Sequence, residues 1–166
     1  MEQILSWNVS QQLITVVISA LPIVELRGAI PVARFLFHMP WYKAFCLSVI
    51  GNLLPVPVLL LFLEKLTKVA SHFEAGKRLV NWVFEHTRRR SKVIEKYERI
   101  GLILLVAIPL PFTGAWTGSI AAFLLGLKFW HAFLSILLGV IIAGVIVTVC
   151  VYLIGWGAGL LWDLAP

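Results

Sequence analysis

The chain has 166 residues, of which 60% are hydrophobic and 13% charged, with a mean hydropathy of +0.95. A soluble domain of this size has no interior large enough for so much apolar surface, so the composition points to a small, single-domain integral membrane protein. The formal charge of +6 does not point to nucleic acid, because ten of the 14 Lys and Arg fall within residues 64–99, the one strongly polar segment.

Residues 1–8 form a short polar start. They lack the basic n-region of a cleavable signal peptide, and none is expected. Residues 9–21 read as a half-length helix with a polar side of Ser10, Gln11, Gln12, Thr15 and Ser19. A lipid-exposed span would not carry so many polar groups. Residues 22–31, PIVELRGAIP, read as a break, and residues 32–39 as a returning half-helix stopped by Pro40. Each arm is shorter than the roughly 20 residues that cross a bilayer. Non-helical backbone at membrane depth survives only where protein or a water-filled cavity satisfies it. Residues 9–39 therefore read as a re-entrant helical hairpin.

Residues 41–63 are the first spanning helix, with Trp41 and Tyr42 as interfacial anchors. Pro55 removes a backbone donor and predicts a bend. Asn52 lies at a depth where it needs a partner, and the first hairpin is placed to provide one. Residues 64–99 form a basic amphipathic connector with an apolar stripe of Leu66, Val69, Phe73, Val80, Val83 and Phe84. Its excess of Lys and Arg places it in the cytoplasm. Arg88, Arg89, Arg90 and Lys92 either contact anionic lipid headgroups or simply set topology.

Residues 100–127 repeat the hairpin pattern: a short apolar run, the break IPLPFTGAWTGS, and a second short apolar run. Residues 129–154 are the second span, and Gly155 and Gly159 have the spacing of a helix-packing motif. Pro22 aligns with Pro109, residues 41–45 with 129–133, and Gly51 with Gly139, a period of 87 to 88 residues. Residues 1–63 are thus repeat 1 and residues 100–166 repeat 2. A hairpin returns to its own side and a span crosses, so the second copy is inverted relative to the first. With the connector inside, both termini are outside. The fold class is all-α, an inverted repeat of re-entrant hairpin plus transmembrane helix, with the two hairpin tips approaching the midplane from opposite sides.

Glu25, Arg27 and Arg34 are the strongly charged residues between Glu2 and Lys43. An intramembrane ionisable residue is a functional candidate by default. Glu25 is a candidate proton carrier, and Arg27 and Arg34 are candidate ligands for an anionic group. The structural alternative is that Glu25 pairs with one arginine and only neutralises the hairpin. The second break carries no charge. Its candidates are Pro109, Pro111, Thr113, Gly114, Trp116, Thr117 and Ser119: hydroxyls, freed carbonyls, and a helix N-terminus starting near Trp116. Here the alternative is that the hydroxyls only satisfy broken backbone. Cys46 and Cys150 lie in apolar runs without ligand spacing and read as buried small hydrophobes. The four histidines are scattered, so no metal, cofactor or enzyme chemistry is expected.

ELRGAIP at residues 25–31, SVIGN followed by Pro55, and above all IPLPFTGAWTGS at residues 108–119 resemble the putative small multidrug export protein family. That family in turn resembles a distant branch of the DedA superfamily, whose members oppose two re-entrant hairpins in an inverted repeat. The family implies a membrane transporter. The superfamily implies proton-linked lipid translocation, scrambling or polyprenyl-phosphate recycling. DedA proteins carry acidic residues in hairpin 1 and arginines in hairpin 2, whereas this chain has both kinds in hairpin 1. Glu25 then stands for the acidic position, and Arg27 or Arg34 takes the arginine role.

The expected protein is a proton-linked translocase of a small molecule or lipid in the inner membrane, with membrane lipids and its substrate as partners. Its small interior favours a homodimer through the glycine-bearing helix. The alternative from another class is a non-transporting membrane scaffold whose basic connector binds a partner.

Overall fold

The computed structural model describes residues 2–70, 92–110 and 113–163, and these residues are helical with short turns. The helices are α1 (Glu2–Ala20), α2 (Glu25–Pro31), α3 (Trp41–Leu53), α4 (Pro55–Ala70), α5 (Lys92–Ala107), α6 (Ala115–Leu124) and α7 (Phe129–Asp163). A π-helical turn, Val32–Leu36, continues α2. Two helices are long and apolar enough to cross a membrane, Trp41–Leu63 and Phe129–Gly155. The first of these is interrupted at Leu54, beside Pro55, where the sequence predicts a bend.

Two expectations about the first hairpin need correction. Its first arm is not half-length: α1 has 19 residues, about 28 Å of helix at 1.5 Å per residue. The break is also shorter than PIVELRGAIP. Only residues 21–24 form the turn, and ELRGAIP is itself helix. Pro31 is tolerated within α2 because the helix widens after it. Its missing N–H cannot serve the carbonyl of Arg27, and the next turn closes from Phe37 N–H to the Val32 carbonyl at 3.3 Å, five residues back. The second hairpin is less changed. Its first arm begins at Lys92, inside the expected connector, and its second arm starts at Ala115. That arm stops at Leu124 rather than Leu127. Gly126, at φ 61°, takes the left-handed position that lets Leu127 N–H reach the Ala122 carbonyl at 3.0 Å.

The fold divides into two compact units. One comprises the described residues of Met1–Asn52 and Ile141–Pro166, and the other is Leu53–Val140. In the first, α1 packs on α2, whose buried face is Leu26, Ala29 and Ile30, followed by Ala33. α3 buries Ala44, Ser48, Gly51 and Asn52. Gly51 is required there: a Cβ would run into the Val16 carbonyl oxygen and approach the Ser19 Cβ at 3.0 Å. Along α7, Gly144 receives the Phe45 ring, and Trp41 borders the same groove as Leu153. α3 and this half of α7 therefore run antiparallel.

In the second unit α6 packs against α4 and α5. Val106 of α5 sits between two glycines. A Cβ on Gly118 would come within 2.5 Å of it, and one on Gly139 within 2.6 Å. Cys46 and Cys150 are exposed, not buried: a helix apolar all round presents some positions outward whatever their type. Residues 71–91, with Arg88, Arg89, Arg90, His72, His86 and the connector stripe from Phe73 to Phe84, lie outside the described residues, as does Pro111.

Candidate functional site

Hairpin 1 turns at residues 21–24, and Glu25 N–H closes the turn on the Leu21 carbonyl at 3.1 Å. Glu25 opens α2 with φ 51°, a left-handed conformation that costs a non-glycine residue roughly 1–2 kcal/mol. It is also only 5% exposed. A buried carboxylate on strained backbone is a combination that persists only where the surroundings enforce it. Its Oε2 lies 3.6 Å from Nη2 of Arg27.

Arg34 has different surroundings. It rides on the π-helical turn, with its guanidinium 5.2 Å from the centre of the Tyr152 ring and Nη1 3.5 Å from the Met39 carbonyl. Among the described residues no carboxylate pairs with it. The structure thus separates the two arginines that the sequence treats alike: Arg27 neutralises Glu25, and Arg34 remains a net cation. Arg34, Phe35, His38, Val151 and Tyr152 line a cavity of about 360 Å³.

Asn52 is 1% exposed, and its Oδ1 has no hydrogen-bond partner. The hairpin brings Val16 and Ser19 against the neighbouring Gly51 but gives this oxygen no donor. One turn earlier, the Ser48 hydroxyl is buried and unpartnered as well, while the Ser48 carbonyl accepts from Ser19 Oγ. Thr15 Oγ1 donates to the Gln11 carbonyl at 2.9 Å. Thr15, Ser19, Ser48 and Asn52 form a polar seam where α1 meets α3. The polar side of α1 is visible in the sequence. Ser48 was missed, although it stands four residues before Asn52 in SVIGN.

The hydroxyls of hairpin 2 serve its own backbone. Thr113 Oγ1 lies 2.8 Å from the Ile108 carbonyl and 2.9 Å from that of Leu110, and accepts Leu110 N–H at 3.2 Å. These bonds replace what Pro109 and the break remove. Thr117 Oγ1 accepts Gly114 N–H at 2.9 Å, and Ser119 Oγ donates to the Ala115 carbonyl at 2.7 Å. Trp116 is half-buried beside them.

Two glycines, one in each unit, have similar packing environments. Gly51 meets the carbonyl of Val16 and the Cβ of Ser19, and Gly139 meets the carbonyl of Ile103 and the Cβ of Val106. Each pair of positions is 87 or 88 residues apart, the period read from the sequence. The same offset relates Thr15 to Leu102, Ser19 to Val106, Ser48 to Ile136 and Asn52 to Val140, all of them buried. At these four positions the buried side chain is polar within residues 1–63 and apolar within residues 100–166.

A sequence model of the family described as "Putative small multi-drug export protein" matches residues 25–146. No curated protein and no solved structure matches the chain.

Proposed function

The chain belongs to the putative small multi-drug export protein family, and on that premise we propose that it is a proton-linked membrane transporter with Glu25 as the coupling carboxylate. The observation that carries this reading is the pairing of buried Glu25 with half-buried Arg27 on a strained turn, in the unit that also buries Thr15, Ser19, Ser48 and Asn52. Ionised Glu25 holds Arg27. Protonation removes that charge, ends its attraction for the guanidinium and gives the hairpin two states of different electrostatic energy. A proton gradient can bias such a pair of states. The unpartnered oxygens of Ser48 and Asn52 offer bonding capacity to water or a polar group inside the same unit. Proton coupling, a substrate drawn from small molecules or lipids, and an inner-membrane location with the connector cytoplasmic all belong to this proposal.

The antiparallel course of α3 and α7 supports the proposed topology. If the two spans cross in opposite directions, the chain between them must end on the side where it began, as a connector and a re-entrant hairpin require. The hydroxyls of hairpin 2 are assigned to its scaffold rather than to coupling, because each already bonds backbone.

The test is transport in proteoliposomes with a pH gradient, using a cationic dye and, separately, a labelled phospholipid. Glu25→Gln keeps the side-chain shape and removes the titration. Gradient-dependent movement should be lost in this variant while helical content and monodispersity stay at wild-type values. Unchanged gradient dependence in a folded Glu25→Gln protein would eliminate the coupling role.

A further inference from the structure

Among the described residues Arg34 has no carboxylate partner, and the space around it is shaped for an amphiphile. Beside the cavity at Arg34 and His38 runs a second groove of about 470 Å³, bordered by Trp41, Phe45, Val145, Val149, Tyr152 and Leu153. Its walls are almost wholly apolar. Even Thr148 contributes little polarity there, because its hydroxyl is committed to the Gly144 carbonyl at 2.7 Å. Tyr152 borders both spaces. The Arg34 guanidinium lies 5.2 Å from the centre of this ring, and His38 lines the same space as the two of them. The groove opens outward, since Trp41, Val149 and Leu153 are each about half exposed or more.

The position along the helices agrees with that chemistry. Trp41 and Tyr42 begin the first span, where aromatic residues sit at headgroup level, and Tyr152 is near the end of the antiparallel second span. Arg34 is therefore close to the depth of a lipid phosphate. The guanidinium has five N–H donors, and among the described residues only the long 3.5 Å contact to Met39 occupies any of them. His38 is exposed, at φ 50°, a left-handed residue fixed between the π-helical turn and Pro40. A net cation beside an outward-facing hydrocarbon groove calls for an anionic head attached to a chain.

We propose that the first unit holds an anionic phospholipid, with its phosphate on Arg34 and His38 and one acyl chain in the groove along Trp41, Phe45, Val149 and Leu153. This assignment is independent of proton coupling: it concerns Arg34, whereas the transport reading rests on Glu25 and Arg27.

Native mass spectrometry of the purified protein, loaded with equal phosphatidylglycerol and phosphatidylcholine, tests it. Wild type should retain phosphatidylglycerol over phosphatidylcholine by about tenfold, the equivalent of one good charge-assisted contact. Arg34→Gln should erase the preference, and Arg34→Lys should restore part of it, which guards against a variant that fails only by misfolding. Val149→Trp, which fills the groove, should lower retention of both lipids while the protein stays monodisperse. Equal retention of the two lipids by wild type, or an unchanged preference in Arg34→Gln, would overturn the proposal. So would displacement of phosphatidylglycerol by soluble glycerol phosphate at equal concentration, because the chain would then contribute nothing. A shift from dimer to monomer in Val149→Trp would give the groove to a second copy instead.

Discussion

Where α1 meets α3, the interior holds Thr15, Ser19, Ser48 and Asn52. Where α5 meets α7, the same four positions are Leu102, Val106, Ile136 and Val140. The glycine that permits each close approach is present in both copies, as Gly51 and Gly139, and each faces a carbonyl and a Cβ three residues apart. The packing geometry around the two glycines is alike, while the side chains that fill it differ in polarity. Burying an amide or hydroxyl without a full set of partners costs roughly 1–3 kcal/mol. Repeat 2 shows that apolar side chains fill the same arrangement without that cost. The buried, unpartnered oxygens of Ser48 and Asn52 lie in the same unit as the strained, buried Glu25.

This comparison can be broken at its geometric basis first. Gly51→Val and Gly139→Val should each lower stability by about 3 kcal/mol, since overpacking a close helix contact forces backbone to move. Thermal unfolding followed by a fluorescence-detected size-exclusion assay measures both. A tolerated Gly51→Val beside a damaging Gly139→Val would show that the two packings are not equivalent.

The chemical half of the comparison is sharpened by exchanging residues between the repeats. Val140→Asn should cost about 2 kcal/mol, because an amide enters a site with no partner. Asn52→Val should leave stability equal or slightly higher, yet reduce transport by about tenfold. Greater stability with less activity is the behaviour of a site kept polar for function. Loss of stability in Asn52→Val with transport intact would assign Asn52 to structure.

The smallest expected effect lies in hairpin 2. Thr113→Val removes the hydroxyl that bridges the carbonyls around Pro109, at a cost of about 1 kcal/mol. It should lower thermal stability without altering gradient dependence. A changed pH profile in this variant would return hairpin 2 to the coupling machinery.

Much of this was legible in the sequence because the signals were local or periodic. The two spans follow from runs of apolar residues. The interruption at Leu54 follows from Pro55. Membership of the export family follows from motifs that can be read letter by letter. Glu25 could be singled out because a carboxyl is conspicuous among apolar residues.

Tertiary structure decided the rest, since partner choice depends on side chains far apart in the chain. Arg27 and Arg34 are equally basic in the sequence. Only folding places one beside Glu25 and the other over Tyr152, more than a hundred residues away. Thr113, Thr117 and Ser119 stand out in the sequence as hydroxyls, and only the fold shows which backbone groups each of them bonds. The length of the first break was also set by packing. α2 buries Leu26, Ala29 and Ile30 against α1, and that burial extends helix through a stretch whose glycine and proline argue against it. Sequence determines which groups must be satisfied, and the fold determines which neighbour satisfies them.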